Sequence, residues 1–365
     1  MILKIGIPIF FFAIQRNRAN IHEMFHVQKI TALDLPELAP YRTMRRPLEH
    51  ERQGIFVAEG EKVVRRLLES RFEVISVLLP EKHLESFRPL FEARPEKLTV
   101  YLADKKLLES LIGFSMYQGQ LAVGKIPPPA TLDDILSKSR KPRLLVAVDA
   151  LTSAENLGAL VRNCVAFGVQ ALVVGETSSS PFLRRAVRNS MGTIFQLSVL
   201  ELNIRRGELC EPLTPGMKLG TRDHYLRSKC SGLGNHLVAG LGSQTRPSET
   251  LAQTLQSLRA RNIRCIAAHP HAESWSSSFS LPSTASTPPQ DKLKLELQRK
   301  IISRTDFSSD CCIVFGSEGC GITAPVLEAC DEAVAIPMPP TVDSLNVGAA
   351  AAVFLYEANR QRGKA

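Results

Sequence analysis

The sequence predicts an α/β protein: a parallel sheet with helices on both faces, preceded by a second, smaller α/β domain. Three observations predict it. Short apolar runs such as Leu144–Asp149 (LLVAVD) and Cys312–Phe315 carry no alternation, the mark of strands covered on both faces. These runs alternate with segments of helical period, which calls for parallel strands joined by crossover helices. Two strand ends also open into turns rich in small residues, VFGSEGCG (Val314–Gly321) and IPMPPTVDSLNVGAAAA (Ile336–Ala352), each ahead of a helix.

The elements follow in order. Residues 1–30 read as an extension. Its apolar run Ile5–Ile14 is too short to span a bilayer and lacks a small-residue cleavage site downstream, so a mis-assigned start, with Met24 a candidate, is preferred to secretion. Residues 31–125 form the small domain. Gly54–Gly60 is a strand and turn, Glu61–Ser70 a helix with Val63, Val64, Leu67 and Leu68 on one face, and Phe72–Leu79 a strand. Val100–Ala103 is a strand, a helix follows around Lys105–Leu111, and Leu121–Val123 is a short strand. Three consecutive prolines in Ile126–Ala130 make residues 126–142 a stiff linker.

The second domain occupies 143–365. After the strand Leu144–Asp149 come a helix over Leu157–Phe167, a strand Ala171–Val174, a helix Leu183–Ser190 and a strand Ile194–Val199. Leu251–Ala260 is helical, Ile263–Ala268 and Cys312–Phe315 are strands, Thr323–Ala329 is a helix capped by Thr323, and Val334–Ile336 is a strand. A helix over Asp343–Arg362 closes the chain, with Ser344 or Asn346 as its cap. Asn203–Glu249, without sustained period, and a Ser/Thr/Pro-rich stretch beginning at Ser274 are insertions, at about 203–249 and 274–305.

Composition narrows the function classes. The formal net charge of +9 favours a polyanionic partner. Eight cysteines in 365 residues, none spaced C-x-x-C, read as reduced core thiols, not as a disulfide scaffold or a metal site. His269 and His271 have no partner cluster, so no structural zinc is expected. The protein is expected in the cytoplasm, with no metal and no membrane.

Four constellations carry the chemistry. In NLGALVR (Asn156–Arg162), Asn156 and Gly158 fall at a strand's carboxyl end, where open α/β sheets place ligands; equally, Asn156 caps the helix and Arg162 is a surface cation. In GSEGCG, glycines at 316, 319 and 321 miss the dinucleotide fingerprint, and Glu318 inside the turn repels phosphate while suiting a cationic or hydroxyl-bearing ligand, or else the segment is a plain tight turn ahead of the helix. The closing helix has a polar lip at Ser344 and Asn346 and a small-residue stretch, Gly348–Ala352, that permits close packing against a helix or another chain. Basic residues Arg42, Arg45, Arg46, Arg52, Lys62, Arg65 and Arg66 gather in the small domain with few aromatics between them. That pattern fits backbone contact to structured RNA, or else a solvated face; Arg184 and Arg188, in LRRAVRNSMG, make a second basic patch.

Taken together and in this order, NLGALVR, VFGSEGCGI and IPMPPTVDSLNVGAAAAVFLYE resemble the three motifs of the SpoU/TrmH family of RNA ribose 2′-O-methyltransferases, of the SPOUT superfamily. SPFLRRAVRNSMGTIF (Ser180–Phe195) is similar to the family's intermediate segment. The resemblance is close over about 143–199, 251–272 and 309–362. It is weaker over 42–123, which is similar to the family's ribosomal-protein-like substrate-binding domain. It implies a sheet domain tied in a trefoil knot, an obligate homodimer whose active site is completed across the interface, and S-adenosylmethionine as cofactor. It also implies a ribose of structured RNA, ribosomal before transfer RNA, as substrate. By the family pattern Gly316, Ile336 and Leu345 hold the cofactor largely through backbone, with Gly319 and Val347 beside them. Arg162 is the base, alone or with an RNA phosphate, and Asn156, Glu318, Ser344 and Asn346 orient it, the cofactor and the ribose. A non-catalytic RNA-binding protein on the same fold and a nucleotide-dependent oxidoreductase are the alternatives. The intact Arg162, Glu318 and Asn346 speak against the first, and the missing fingerprint against the second.

Overall fold

The computed structural model of the protein describes residues 25–112, 119–202, 249–269, 298–339 and 341–363. The apolar run Ile5–Ile14, Met24, His271, Cys210, Cys230 and most of both insertions lie outside these residues.

The smaller sheet has five strands: β1 (Phe25–Lys29), β2 (Ile55–Glu59), β3 (Val74–Pro80), β4 (Leu98–Ala103) and β5 (Leu121–Lys125). Their order is β1-β4-β3-β5-β2, with β1, β4 and β3 parallel and β5 antiparallel to both its neighbours. Helices α1 (Ala39–Arg42), α2 (Pro47–Arg52), α3 (Glu61–Leu68), α4 (Leu84–Glu92) and α5 (Lys105–Ile112) connect them. As its spacing predicts, α3 buries Val63, Val64, Leu67 and Leu68. The expected 1–30 extension is corrected here: β1 pairs residue for residue with β4, so the domain begins by Phe25.

The linker is also shorter than expected. Past the prolines, Thr131 and Asp134 form a capping box, a device worth about 1 kcal/mol, and start α6 (Leu132–Lys138). Its Leu132, Ile135 and Leu136 are buried against the larger sheet, so α6 belongs to the second domain.

That sheet has seven strands, all parallel: β6 (Leu144–Val148), β7 (Ala171–Val174), β8 (Ser198–Glu201), β9 (Arg264–Ala268), β10 (Gln298–Ile301), β11 (Cys311–Phe315) and β12 (Glu332–Ala335). The order is β10-β12-β9-β11-β6-β7-β8. Alternation explains why the strands read as continuous apolar runs. Along β11, Cys311, Ile313 and Phe315 enter one core and Cys312 and Val314 the other. The first core is closed by α7 (Ala154–Ala166), α8 (Arg184–Asn189) and, later in the chain, α11 (Val347–Gln361). The second is closed by α6, α9 (Leu251–Ala260) and α10 (Ala324–Glu328).

Three further expectations are corrected. Ile194–Val199 is not one strand: Thr193–Gln196 is a 3-10 turn with Ile194 and Phe195 buried, and β8 follows it. The second insertion ends before 298, because β10 pairs with β12 and Ile302 is buried. Among the cysteines, 164, 265, 311, 312 and 330 are free and buried, but Cys320 is exposed. Burial pushes the Cys311 thiol up to about 11 and Cys330 to about 12, leaving both inert near neutrality.

The two domains meet over an apolar seam. Phe56 and Phe72 of the small domain interlock with Phe182 and Phe195 of the large one, ring centroids 5.3–5.9 Å apart. Arg66 of α3 donates to the Met191 carbonyl at 2.6 Å. Glu59, at the end of β2, accepts from Arg184 and, at 2.6 Å, from Arg188.

Candidate active site

The site forms where β11, β12 and β9 end, at the carboxyl edge of the sheet. After Phe315 the chain doubles back on itself: Ser317 N–H donates to Gly321 O at 3.0 Å and Gly321 N–H to Ser317 O at 2.9 Å. So tight a return admits no side chain at its base. A Cβ on Gly316 would stand 2.2 Å from the Gly321 carbonyl carbon and 2.4 Å from the Ile322 nitrogen. Gly321 itself, at φ +66, takes a backbone conformation that favours glycine. The expected Thr323 cap is corrected: its side chain accepts no capping bond, and its N–H donates instead to Asp149 Oδ2 at 2.7 Å. Burial holds the Asp149 carboxyl above the ordinary carboxylate range, partly offset by this bond. Asp149, at the end of β6, thereby anchors the far end of the glycine turn.

Glu318 projects from that turn into a closed polar triad. Asn156 Nδ2 donates to its Oε2 at 2.5 Å and Asn346 Nδ2 to its Oε1 at 2.8 Å. Asn346 Nδ2 also reaches Asn156 Oδ1 at 3.0 Å. Each asparagine is set by its helix. Asn346 caps α11, its Oδ1 accepting from Gly348 N–H at 2.9 Å. Asn156 lies within the first turn of α7, whose cap is Ser153; neither it nor Gly158 stands on the strand end, and the expected start at Leu157 moves to Ala154. Gly158 serves packing: a Cβ there would be 2.5 Å from the Ala186 carbonyl oxygen of α8. The Glu318 charge is thus solvated by neutral amides.

Beside the triad lies a cavity of about 290 Å³. All five residues expected to hold a cofactor, Gly316, Gly319, Ile336, Leu345 and Val347, line it, as do Glu318 and Ser344. His269, Met338 and Asp343 line it too, unforeseen from sequence. The end of β9 was the available signal for His269, since a third strand closing the same sheet edge belongs to the same crevice. A turn that only glycine can make, an apolar wall including Phe354 and Met338, and acidic groups at the mouth fit an adenosine ligand with a cationic sulfonium. Among the described residues no group of three or more His, Cys, Asp or Glu gathers as metal ligands would, and no helix is long and apolar enough to cross a membrane.

Arg162 is not in the cavity. It is exposed on α7, six residues and roughly 9 Å of helix rise beyond Asn156. Among the described residues it has no hydrogen-bond or ion-pair partner. The next residue, Asn163, donates to the Gly348 carbonyl of α11 at 2.6 Å, so Arg162 borders the seam between the two helices.

The expected RNA-binding arginines divide. Arg45, Arg184 and Arg188 converge on one crevice between the domains. Arg42 donates to the Leu33 and Leu35 carbonyls, Arg46 pairs with Glu49, and Arg65 pairs with Glu61 while lying 4.2 Å over the Phe87 ring. Arg52 ends α2, away from the crevice lining.

A sequence model of the SpoU rRNA methylase family matches residues 143–211 and 239–356. An uncharacterized tRNA/rRNA methyltransferase of Mycobacterium tuberculosis is 26% identical over 339 residues, 92% of each chain. A 23S rRNA (guanosine-2′-O-)-methyltransferase of Acinetobacter baylyi is 25% identical over 272 residues, 74% of this chain and 82% of its own. Among solved structures, the SpoU methyltransferase AviRb of Streptomyces viridochromogenes, in complex with AdoMet, has a TM-score of 0.61 at 20% identity, covering 90% of this chain and 98% of that one. At that identity the likeness is one of fold.

Proposed function

The chain belongs to the SpoU rRNA methylase family, and on that premise we propose that it methylates a ribose 2′-hydroxyl of structured RNA, ribosomal before transfer RNA. It is an RNA methyltransferase, and its cofactor is S-adenosylmethionine. The observation that carries this reading is the convergence of the Asn156–Glu318–Asn346 triad and the glycine-cradled cavity at one sheet edge.

When bound, S-adenosylmethionine supplies a methyl group on a positively charged sulfur. Gly316, Gly319, Ile336, Leu345 and Val347, which line the cavity, would hold it. Glu318 lines the cavity among neutral amides and would supply negative charge to the site that holds that cation. A ribose hydroxyl is a weak nucleophile until its proton is removed or polarised. That task falls to Arg162, alone or with an RNA phosphate, with Ser344 and Asn346 orienting the ribose. A guanidinium offers five N–H donors and no acceptor, so the phosphate is an equal candidate for the ribose proton.

Arg162 lies outside the cavity of its own chain, so the reading includes a homodimer in which Arg162 of one protomer meets the triad of its partner. The apolar side chains left exposed on and before α11 support it: Val342, Leu345, Val353 and Tyr356 are 36–54% exposed. We also read the sheet domain as a trefoil knot. The order β12-β9-β11-β6, with α11 returning across the sheet to α7, supports that reading. The small domain is read as the ribosomal-protein-like, RNA-docking part.

Two measurements test the function. Calorimetry is expected to show S-adenosylmethionine binding and no NAD binding. Arg162→Ala is expected to abolish methyl transfer to bulk ribosomal RNA while still binding cofactor; retained transfer removes Arg162 from the mechanism.

A further inference from the structure

The junction of the two domains assembles a basic hollow that neither domain forms alone. Arg45, ahead of α2, and Arg184, Arg185 and Arg188 of α8 line a crevice of about 390 Å³, with Glu155 of α7 at its end. The guanidinium groups outnumber the carboxylates. Glu59, 6% exposed, sits behind the wall and accepts from both Arg184 and Arg188. It fixes the Arg188 fork, which stays 54% exposed. Arg185 is 71% exposed and pairs with Glu155 Oε1 at 3.1 Å, a solvent-facing contact of the kind worth little. Glu155 immediately precedes Asn156, so the first turn of α7 carries both the end of the crevice and one member of the triad.

Resting on the RNA methyltransferase reading above, we propose that this crevice binds the RNA backbone next to the ribose presented for methylation. A phosphodiester takes the place of the Glu155 carboxylate on Arg185 and lies between Arg185 and Arg188. Planar guanidinium forks suit two phosphate oxygens, and such contacts fix register without reading sequence. Glu155 occupies the place that the phosphate takes, and its weak, exposed pairing with Arg185 yields to RNA. Arg185 was not singled out by the sequence, because nothing in LRRAVRNSMG separates it from its neighbours.

The test uses the full-length protein and bulk ribosomal RNA, titrated over a range of salt concentrations. Arg185→Ala is expected to weaken binding about tenfold and to lower the slope of log affinity against log salt by about 1. Glu155→Gln, which removes the competing carboxylate, is expected to tighten RNA binding. S-adenosylmethionine affinity and melting temperature are expected to stay at wild-type values in both variants. An unchanged salt slope in Arg185→Ala, or weaker RNA binding by Glu155→Gln, overturns the proposal. So does an Arg185-dependent rise in melting temperature with inorganic phosphate alone when Arg185→Ala leaves the RNA slope unchanged, since the crevice is then a free-anion site. A wild-type protein that takes up no S-adenosylmethionine overturns instead the reading beneath, whatever the arginine variants do.

Discussion

Glu318 accepts from two side-chain amides at once, and a carboxylate can do so because it has no proton to place. Glu318→Gln would set an NH₂ group against one of two asparagine NH₂ donors. It is expected to open the triad and cut methyl transfer by about a hundredfold, the scale of losing one aligned electrostatic group, with the melting temperature little changed. Gly316→Ala acts differently. The backbone in its way cannot rotate aside, so calorimetry should show cofactor binding lost while the far-UV circular dichroism remains that of the wild type. Asp149 gives a pH signature. Its folded-state carboxyl is held above the ordinary range, so its contribution to stability is full below the unfolded value and is lost as pH rises through the folded one. Melting curves of Asp149→Asn across that window should be flatter than those of the wild type; equal slopes would remove Asp149 as the cause. Much at this scale was legible. Asn156, Glu318 and Asn346, one from each motif, come together in the triad, and Ser344 lines the cavity beside it. The anchoring of Thr323 by Asp149 was not, because the two lie 174 residues apart and neither has a local signature.

At the scale of elements, α11 divides into faces. Ala351, Phe354, Leu355 and Ala358 are buried on the sheet, while Val353 and Tyr356 stand in solvent one turn apart. On the proposed homodimer, Tyr356→Asp is expected to sediment as a monomer where the wild type sediments as a dimer, and to abolish methyl transfer without altering the cavity; a monomeric wild type or an active monomeric variant would sink the shared-site reading. Helices α7 and α8 cross at Gly158, and Gly158→Ala is expected to cost about 1–3 kcal/mol in urea unfolding. Elements with a clean period were readable: the Leu251–Ala260 helix matches end to end because its apolar residues recur at helical spacing after a capping threonine. Elements that depend on a distant partner were not. The strand β1 reads as tail until β4 lies beside it, and Ile194–Phe195 reads as strand because a short apolar run has no period to betray a 3-10 turn. Helix α6 was hidden by the prolines just before it, although its Thr131–Asp134 capping box was there to be seen.

For the whole molecule, charge and motif order pointed to two domains and a polyanionic partner, but not to how the domains meet. That depends on Phe56, Phe72, Phe182 and Phe195, which are ordinary singly and form one cluster only when folded. The seam also explains why Arg184 and Arg188, read as a second and separate basic patch, join Arg45 in one crevice. Its consequence concerns who moves. On the proposed reading the small domain docks RNA, and its place against the sheet domain is set by four phenyl rings and by Glu59, not by the substrate. The separation between where RNA is gripped and where its ribose is altered is then a constant of the enzyme. Bringing the target nucleotide out to the active centre becomes the work of the RNA, so suitability as a substrate is decided by how readily that nucleotide leaves its own fold.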